Sequence, residues 1–129
     1  MPLVRIDLVQ GREPAAVRAI ADVVQEVLES DFAAPPRDRY QVVTEHPRGG
    51  LIVEDTGLGF ERTDALTVVH VFQQGRSTEQ KQALYRRLAD RLEAECDVPQ
   101  TDLVVSVSAN QPEDWSFGLG RAQFVEGDL

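Results

Sequence analysis

Cysteine, methionine and tryptophan each occur once in this 129-residue sequence, and aromatic residues make up only 6% of it. The lone thiol, Cys96, cannot pair within the chain, so no internal disulfide holds the fold, and a reducing, cytoplasmic setting is expected. Basic residues are also scarce: 13 Lys and Arg stand against 22 Asp and Glu, a net charge of −9. That excess repels a polyphosphate backbone and argues against nucleic acid as the main partner, while leaving room for a local cationic pocket. Long apolar runs are absent, as is a signal-like hydrophobic stretch, so no membrane segment is expected. His46 and His70 lack metal-ligand spacing. The two Gly-Leu-Gly segments match neither a P-loop nor a dinucleotide fingerprint. Neither a metal nor a cofactor is therefore expected.

What is present is hydrophobic periodicity that changes along the chain. Pro2 to Val9 reads as a strand, with Leu3, Ile6 and Leu8 apolar. Glu13-Pro14 opens a helix to about Ser30, with proline in the first turn, where its missing N–H is harmless. Val17, Ile20, Ala21, Val24, Val27 and Leu28 give that helix one apolar face. Ala33 to Arg37 is a connector, and the β-branched run Tyr40–Thr44 is a second strand. Pro47–Gly50 is a turn, Leu51–Val53 a short strand and Asp55–Phe60 a glycine-rich loop. Ala65–Phe72 is the most apolar strand, ended by Gln73–Arg76. Ser77 with Gln80 forms a capping box for a helix to about Glu95, buried through Leu84, Leu88 and Leu92. Leu103–Ser108 is a further strand. The tail from Asp114 to Phe124 is expected to be a hairpin or extended arm.

The chain also repeats itself without a gap. A shift of 64 aligns Gln10-Gly11-Arg12 with Gln74-Gly75-Arg76, Ile20 with Leu84, Leu28 with Leu92, Pro35 with Pro99 and Asp38 with Asp102. Two β-α-β halves, about 1–64 and 65–129, therefore form one α+β domain: a four-stranded mixed sheet with both helices on one face. If a two-fold axis relates the halves and their first strands are neighbours, those strands run antiparallel. Pro2 then faces the Gln73–Arg76 segment, and Asp38, at the start of a strand parallel to the first, lies at the same end. An amine, a carboxylate and a guanidinium converge there.

Pro2 is an amine only if Met1 is removed, an event favoured by the small residue that follows. An α-amino group ordinarily titrates at about 7.7–8.0, close enough to neutrality to serve as acid, base or imine-forming nucleophile. Each site residue also has a plainer reading. Asp38 is a turn acid like its mate Asp102, and Arg76 a solvated residue near a helix start. There a cation opposes the macrodipole, which an anionic ligand would offset. Trp115 and Phe117 are core or subunit-interface aromatics.

Pro2, the doubled strand–helix–strand unit, Arg37–Val43, Asp55–Phe60 and above all Asp114-Trp115-Ser116-Phe117-Gly118-Leu119-Gly120-Arg121-Ala122-Gln123-Phe124 together resemble the malonate semialdehyde decarboxylase family of the tautomerase superfamily. The resemblance spans nearly the whole chain. It implies a homotrimer, a small anionic oxo-acid substrate, no cofactor, and a cationic amino-terminal proline assisted by Asp38 and Arg76. Gln74, Trp115, Phe117 and Phe124 would line the substrate site. One departure is that the pattern carries a second arginine where this chain has Gln74, and an amide lacks the bidentate, charge-assisted grip of a guanidinium. The implied reaction is decarboxylation of a 3-oxo acid, malonate semialdehyde giving acetaldehyde and carbon dioxide, with hydratase activity at the side. The alternatives are a tautomerase, hydratase or dehalogenase acting on 2-oxo or halogenated unsaturated acids, and a non-enzymatic interaction protein that keeps only the fold.

Overall fold

The computed structural model describes residues 2–129, so the removal of Met1 lies outside the described residues. Strand β1 (Leu3–Val9) leads through helix α1 (Pro14–Asp31) to β2 (Tyr40–His46), and β3 (Thr67–Gln74) leads through α2 (Thr78–Cys96) to β4 (Leu103–Asn110). The sheet order is β2-β1-β3-β4. Each half is a parallel pair, and β1 and β3 meet antiparallel at the centre, with Leu3 opposite Phe72. This is the topology expected from the repeat.

The repeat reaches into the helix ends. Both helices stop at a left-handed residue, Ala33 (φ 53°) and its mate Asp97 (φ 55°). The next amide then turns back onto the helix: Ala34 N–H donates to Leu28 O at 3.1 Å, and Val98 N–H to Leu92 O at 3.1 Å. An apolar residue seals each such end, and Ala34 and Val98 are both buried. Helix α2 starts on the anticipated capping box, Gln80 N–H donating to Ser77 Oγ at 3.1 Å and Ser77 N–H to Gln80 Oε1 at 2.9 Å.

Period two sorts the sheet into faces. Val4, Ile6, Leu8, Val69 and Val71 are fully buried under Ile20, Val24, Val27 and Leu28 of α1 and Leu84, Leu88 and Leu92 of α2. The other face is more polar. There His46 Nε2 lies 2.7 Å from Asp7 Oδ1, and His70 Nε2 lies 2.8 Å from Ser108 Oγ with its ring stacked on Phe72. Both histidines have structural partners.

One local expectation fails, and one of two alternatives is settled. Leu51–Val53 forms no strand: Arg62 instead donates to Glu54 O at 3.1 Å, and the segment stays irregular alongside it. The tail is not a hairpin. After a 3-10 turn at Pro112–Asp114 it crosses as irregular chain into a one-turn helix, α3 (Gln123–Glu126). The Gln123 side chain holds it, accepting from Phe117 N–H at 2.9 Å and donating to Gly118 O at 2.8 Å. Strand β3 also runs two residues past Phe72, because Gln73 and Gln74 pair with Ala109 and Asn110 of β4.

Candidate functional site

The first residues of β1 and β2 and the last of β3 and β4 share one end of the sheet. Leu3 lies beside Tyr40 on one side and Phe72 on the other. One residue earlier, the same registers bring Pro2, which is buried, beside Gln73 and next to the approach to β2 that carries Asp38. The placement of Pro2 against the 73–76 segment and Asp38 thus holds at the level of the backbone. Asp38 is half-buried, and its carboxylate makes no hydrogen bond or ion pair among the described residues. Its own N–H donates to Pro35 O at 3.2 Å, the turn that sets its position.

Arg76 is held differently from the sequence-based expectation. Its Nε donates to Phe32 O at 2.8 Å and its Nη1 to Gln74 O at 3.1 Å and Gly75 O at 3.2 Å, with the guanidinium 5.5 Å above the Phe32 ring. Phe32 caps the C-terminus of α1, where a cation is favoured by the helix dipole. The arginine precedes α2 in sequence yet serves the end of α1, so its position needs no anion to be favourable. Burial lowers its pKa, though a guanidinium stays charged at any ordinary pH. Its Nη2 has no hydrogen-bond partner among the described residues and remains able to donate.

The tail supplies an aromatic cover. Trp115 Nε1 donates to Asn110 Oδ1, at the end of β4, at 2.9 Å. Phe117 stacks on Trp115 at 5.4 Å, meets Phe124 edge-on at 5.4 Å and lies 5.7 Å from Tyr40, at the start of β2. The arm therefore spans the sheet from one edge strand to the other, across the row that contains Leu3, Phe72 and Gln74. Gln74 alternates with the buried Gln73 and so lies on the face beneath the arm. Pro2, Asp38 and Arg76 thus share a sheet end with Gln74, Trp115, Phe117 and Phe124, but Arg76 turns toward α1 and away from the aromatic cover.

Sequence reasoning missed Phe32, Asn110, Gln123 and Gln73. Phe32, through its backbone oxygen, and Asn110 accept from the Arg76 guanidinium and the Trp115 indole and belong to no motif, while Gln123, within the Asp114–Phe124 motif, bonds backbone groups of the arm. Gln73 is fully buried, and neither atom of its amide finds a hydrogen-bond partner among the described residues. Each such orphan costs about 1–3 kcal/mol. The repeat set the Gln73–Arg76 segment opposite Pro2, but nothing in it gave Gln73 itself a role.

The opposite end of the sheet carries the repeat mates. Asp102 is fully buried and accepts from Thr63 N–H at 2.7 Å and from the Thr63 hydroxyl. Arg12 donates from Nη2 to Ala65 O at 2.8 Å. Burial lowers the Arg12 pKa while Asp102 opposes that shift. Two open grooves, about 520 and 440 Å³, lie between α1 and β2 and between α2 and β4. Neither is lined by Pro2, Asp38 or Arg76. No cluster of metal-ligating side chains occurs among the described residues, and no helix there is long and apolar enough to cross a membrane.

Comparison with known proteins places these features. A family model described as tautomerase enzyme matches residues 38–118, and a second of the same description matches residues 2–61. The probable tautomerase YrdN of Bacillus subtilis (strain 168) is 50% identical over the full length of both chains. Crystal structures of a malonate semialdehyde decarboxylase in wild-type, mutant and inactivated forms are 39% identical, with 98% of each chain covered and a TM-score of 0.94. Those of a second such decarboxylase, inhibited by 3-bromopropiolate, are 43% identical over 98% of this chain and 97% of that one, with a TM-score of 0.93.

Proposed function

The chain belongs to the tautomerase superfamily, and from that premise we propose that it is a cofactor-independent decarboxylase of a small 3-oxo acid, malonate semialdehyde in the first instance. The observation that carries the reading is the half-buried Asp38 carboxylate, without a partner among the described residues, at the same sheet end as Pro2. With Met1 removed, a carboxylate there favours the cationic amine. Protonated Pro2 donates a hydrogen bond to the substrate carbonyl oxygen. The bond between the carboxylate carbon and its neighbour then breaks, its electrons pass toward that oxygen as an enolate, and carbon dioxide leaves. Protonation of the enolate carbon gives acetaldehyde.

Arg76, through Nη2, orients the departing carboxylate so that the breaking bond overlaps the carbonyl π system. Gln74 adds a neutral hydrogen bond from the covered face. Trp115, Phe117 and Phe124 keep the site apolar, which weakens carboxylate solvation as its charge disperses. Asp38 also positions water for a hydratase side reaction. The polar, open sheet face supports packing against further copies, in a homotrimer, and we place the enzyme in the cytoplasm. Neither nucleic acid nor membrane is proposed as a partner, in keeping with the net charge of −9.

A second reading, a tautomerase, hydratase or dehalogenase of 2-oxo or halogenated unsaturated acids, is favoured by the neutral Gln74 and by the name of the Bacillus subtilis relative. Its tautomerase form needs Pro2 as a neutral base. Intact mass together with proton NMR of malonate semialdehyde turnover separates the two. Processed protein should release acetaldehyde, and Pro2→Ala should lower kcat/KM by at least about 100-fold, the scale of one positioned proton donor. Processed protein that makes no acetaldehyde but ketonises an enol 2-oxo acid would establish the second reading instead.

A further inference from the structure

We infer that Gln73 is a positioning residue for the Pro2 amine, its side-chain carbonyl accepting a hydrogen bond from the protonated proline nitrogen. The inference rests on the reading that Pro2 works as an amine. Gln73 is fully buried with both amide atoms unpartnered among the described residues, an arrangement that native interiors rarely tolerate. The antiparallel register that pairs Leu3 with Phe72 sets Gln73 opposite Pro2. Both residues are buried, continuing the alternation of Val4, Ile6 and Leu8 and of Thr67, Val69 and Val71. Side chains directly opposite on one face stand about 5 Å apart at Cβ, within reach of an amide two bonds further out.

The chemistry of proline explains why the amide lacks a partner there. While Met1 is attached, the Pro2 nitrogen is an imide and carries no hydrogen, so Gln73 Oε1 has nothing to accept from it. Removal of Met1 creates a secondary ammonium with two N–H donors. One is satisfied by Gln73, which leaves the other for Asp38 or the substrate carbonyl. The opposite sheet end supplies the control. There the mates of Gln73 and Pro2 are Val9 and Leu66, both apolar and 6% and 3% exposed. Of these two mated positions, the one beside the future amine carries the buried amide.

The flanking elements carry charges of both signs, Arg37 beside Asp38 being an exposed cation that opposes the ammonium. Asp38 comes from the approach to β2 and Arg76 from the approach to α2. Asp31 at the end of α1 is engaged by Arg87, Arg39 is engaged by Asp22, and β4 contributes the neutral Asn110. A hydrogen bond to the cation raises the amine pKa, so Gln73 and Asp38 act in the same direction.

The test is a pH titration of the Pro2 nitrogen by NMR in proline-labelled protein whose mass shows Met1 removed. Gln73→Met, close in shape and without polar atoms, should lower the amine pKa by about one unit. Gln73→Glu should move the pKa upward. If the Met variant fails to fold, the Glu variant decides alone. An amine that titrates identically in wild type and in every folded variant, or protein that retains Met1, overturns the inference. The titration uses no substrate, so absence of decarboxylase activity with shifted pKa values would sink the proposed reaction and leave the role of Gln73 standing. Acetaldehyde production with unshifted values would do the reverse.

Discussion

At one end of the sheet Asp102 is sealed from solvent by Thr63 and Arg12 reaches Ala65. At the other, Asp38 lacks a partner among the described residues and Arg76 grips the last turn of α1. The four residues are two pairs of repeat mates whose backbones differ, since Gly11 (φ 130°) precedes Arg12 and Arg37 (φ 77°) precedes Asp38 while Asp102 closes a 3-10 turn, so the contrast combines backbone conformation with side-chain partners. The lead-in to β3 supplies both partners of the closed end, and its carboxylate and guanidinium are spent on holding that segment. At the Pro2 end the same two residue types keep unfilled hydrogen-bonding capacity. Arg12 Nη1 also lacks a partner among the described residues, but that atom is buried, so the repeat preserves a scaffold at both ends, and at the Pro2 end the unfilled groups belong to partly exposed residues, Asp38 and Arg76.

Exchanging the arginines would break that contrast most sharply. Arg76→Ala should cut kcat/KM on malonate semialdehyde by about 100-fold or more, the loss expected when a charge-assisted contact to a reacting carboxylate is removed. Arg12→Ala should leave kcat/KM near wild type and instead lower unfolding stability by about 1–2 kcal/mol, through the lost bond to Ala65 O. Steady-state kinetics and urea unfolding on both variants check the pair. Equal kinetic losses would mean that Arg76 acts only through the fold, by holding Phe32 O.

The aspartates should show the same division with smaller kinetic consequences. Asp102→Ala leaves the Thr63 amide and hydroxyl unsatisfied and should destabilise by about 3 kcal/mol, as expected for bonds to a buried charge. Asp38→Asn should change stability by less than about 0.5 kcal/mol, as at most sites without partners, but lower turnover by roughly tenfold through the weaker support of the Pro2 cation, on the scale of about one pKa unit. If Asp38→Asn unfolds the protein as readily as Asp102→Ala, the two ends are not different in kind.

The repeat spacing of 64 was enough to read the topology, because two identical β-α-β patterns joined around a two-fold axis admit few arrangements, and it placed Pro2, Asp38 and Arg76 at one sheet end. What it could not show was where a long side chain goes once its strand has ended. Arg76 looked like a cation in an unfavourable place before α2, whereas four rotatable bonds carry it back to the C-terminal carbonyl of α1. Gln73 looked like a strand terminator, whereas ladder bonds with β4 extend β3 past it and bury its amide. The 51–53 segment is rich in strand formers, yet Arg62 draws the Glu54 carbonyl out of any ladder. Local propensity decides little where a distant side chain competes for the backbone.

The smallest effect concerns Cys96, the repeat mate of Phe32. At the Pro2 end an aromatic ring lies under Arg76; at the closed end a thiol occupies that position, and burial pushes its pKa upward. A thiol whose folded pKa exceeds its unfolded value contributes stability that is fully present below the unfolded pKa, about 8.5, and is lost as pH rises through the folded one. Unfolding free energy should therefore fall at alkaline pH above that value, and Cys96→Ala should flatten this limb without altering stability at pH 6 by more than the small cavity it leaves. Because Arg12 and Arg91 weakly favour the thiolate while Glu95 and Asp97 oppose it, the limb should be shallow, and chemical denaturation between pH 7 and 10 would resolve it. A slope unchanged by Cys96→Ala would mean that the thiol is as well solvated in the folded chain as in the unfolded one, and the closed end would then be less tightly sealed at this position than at Asp102.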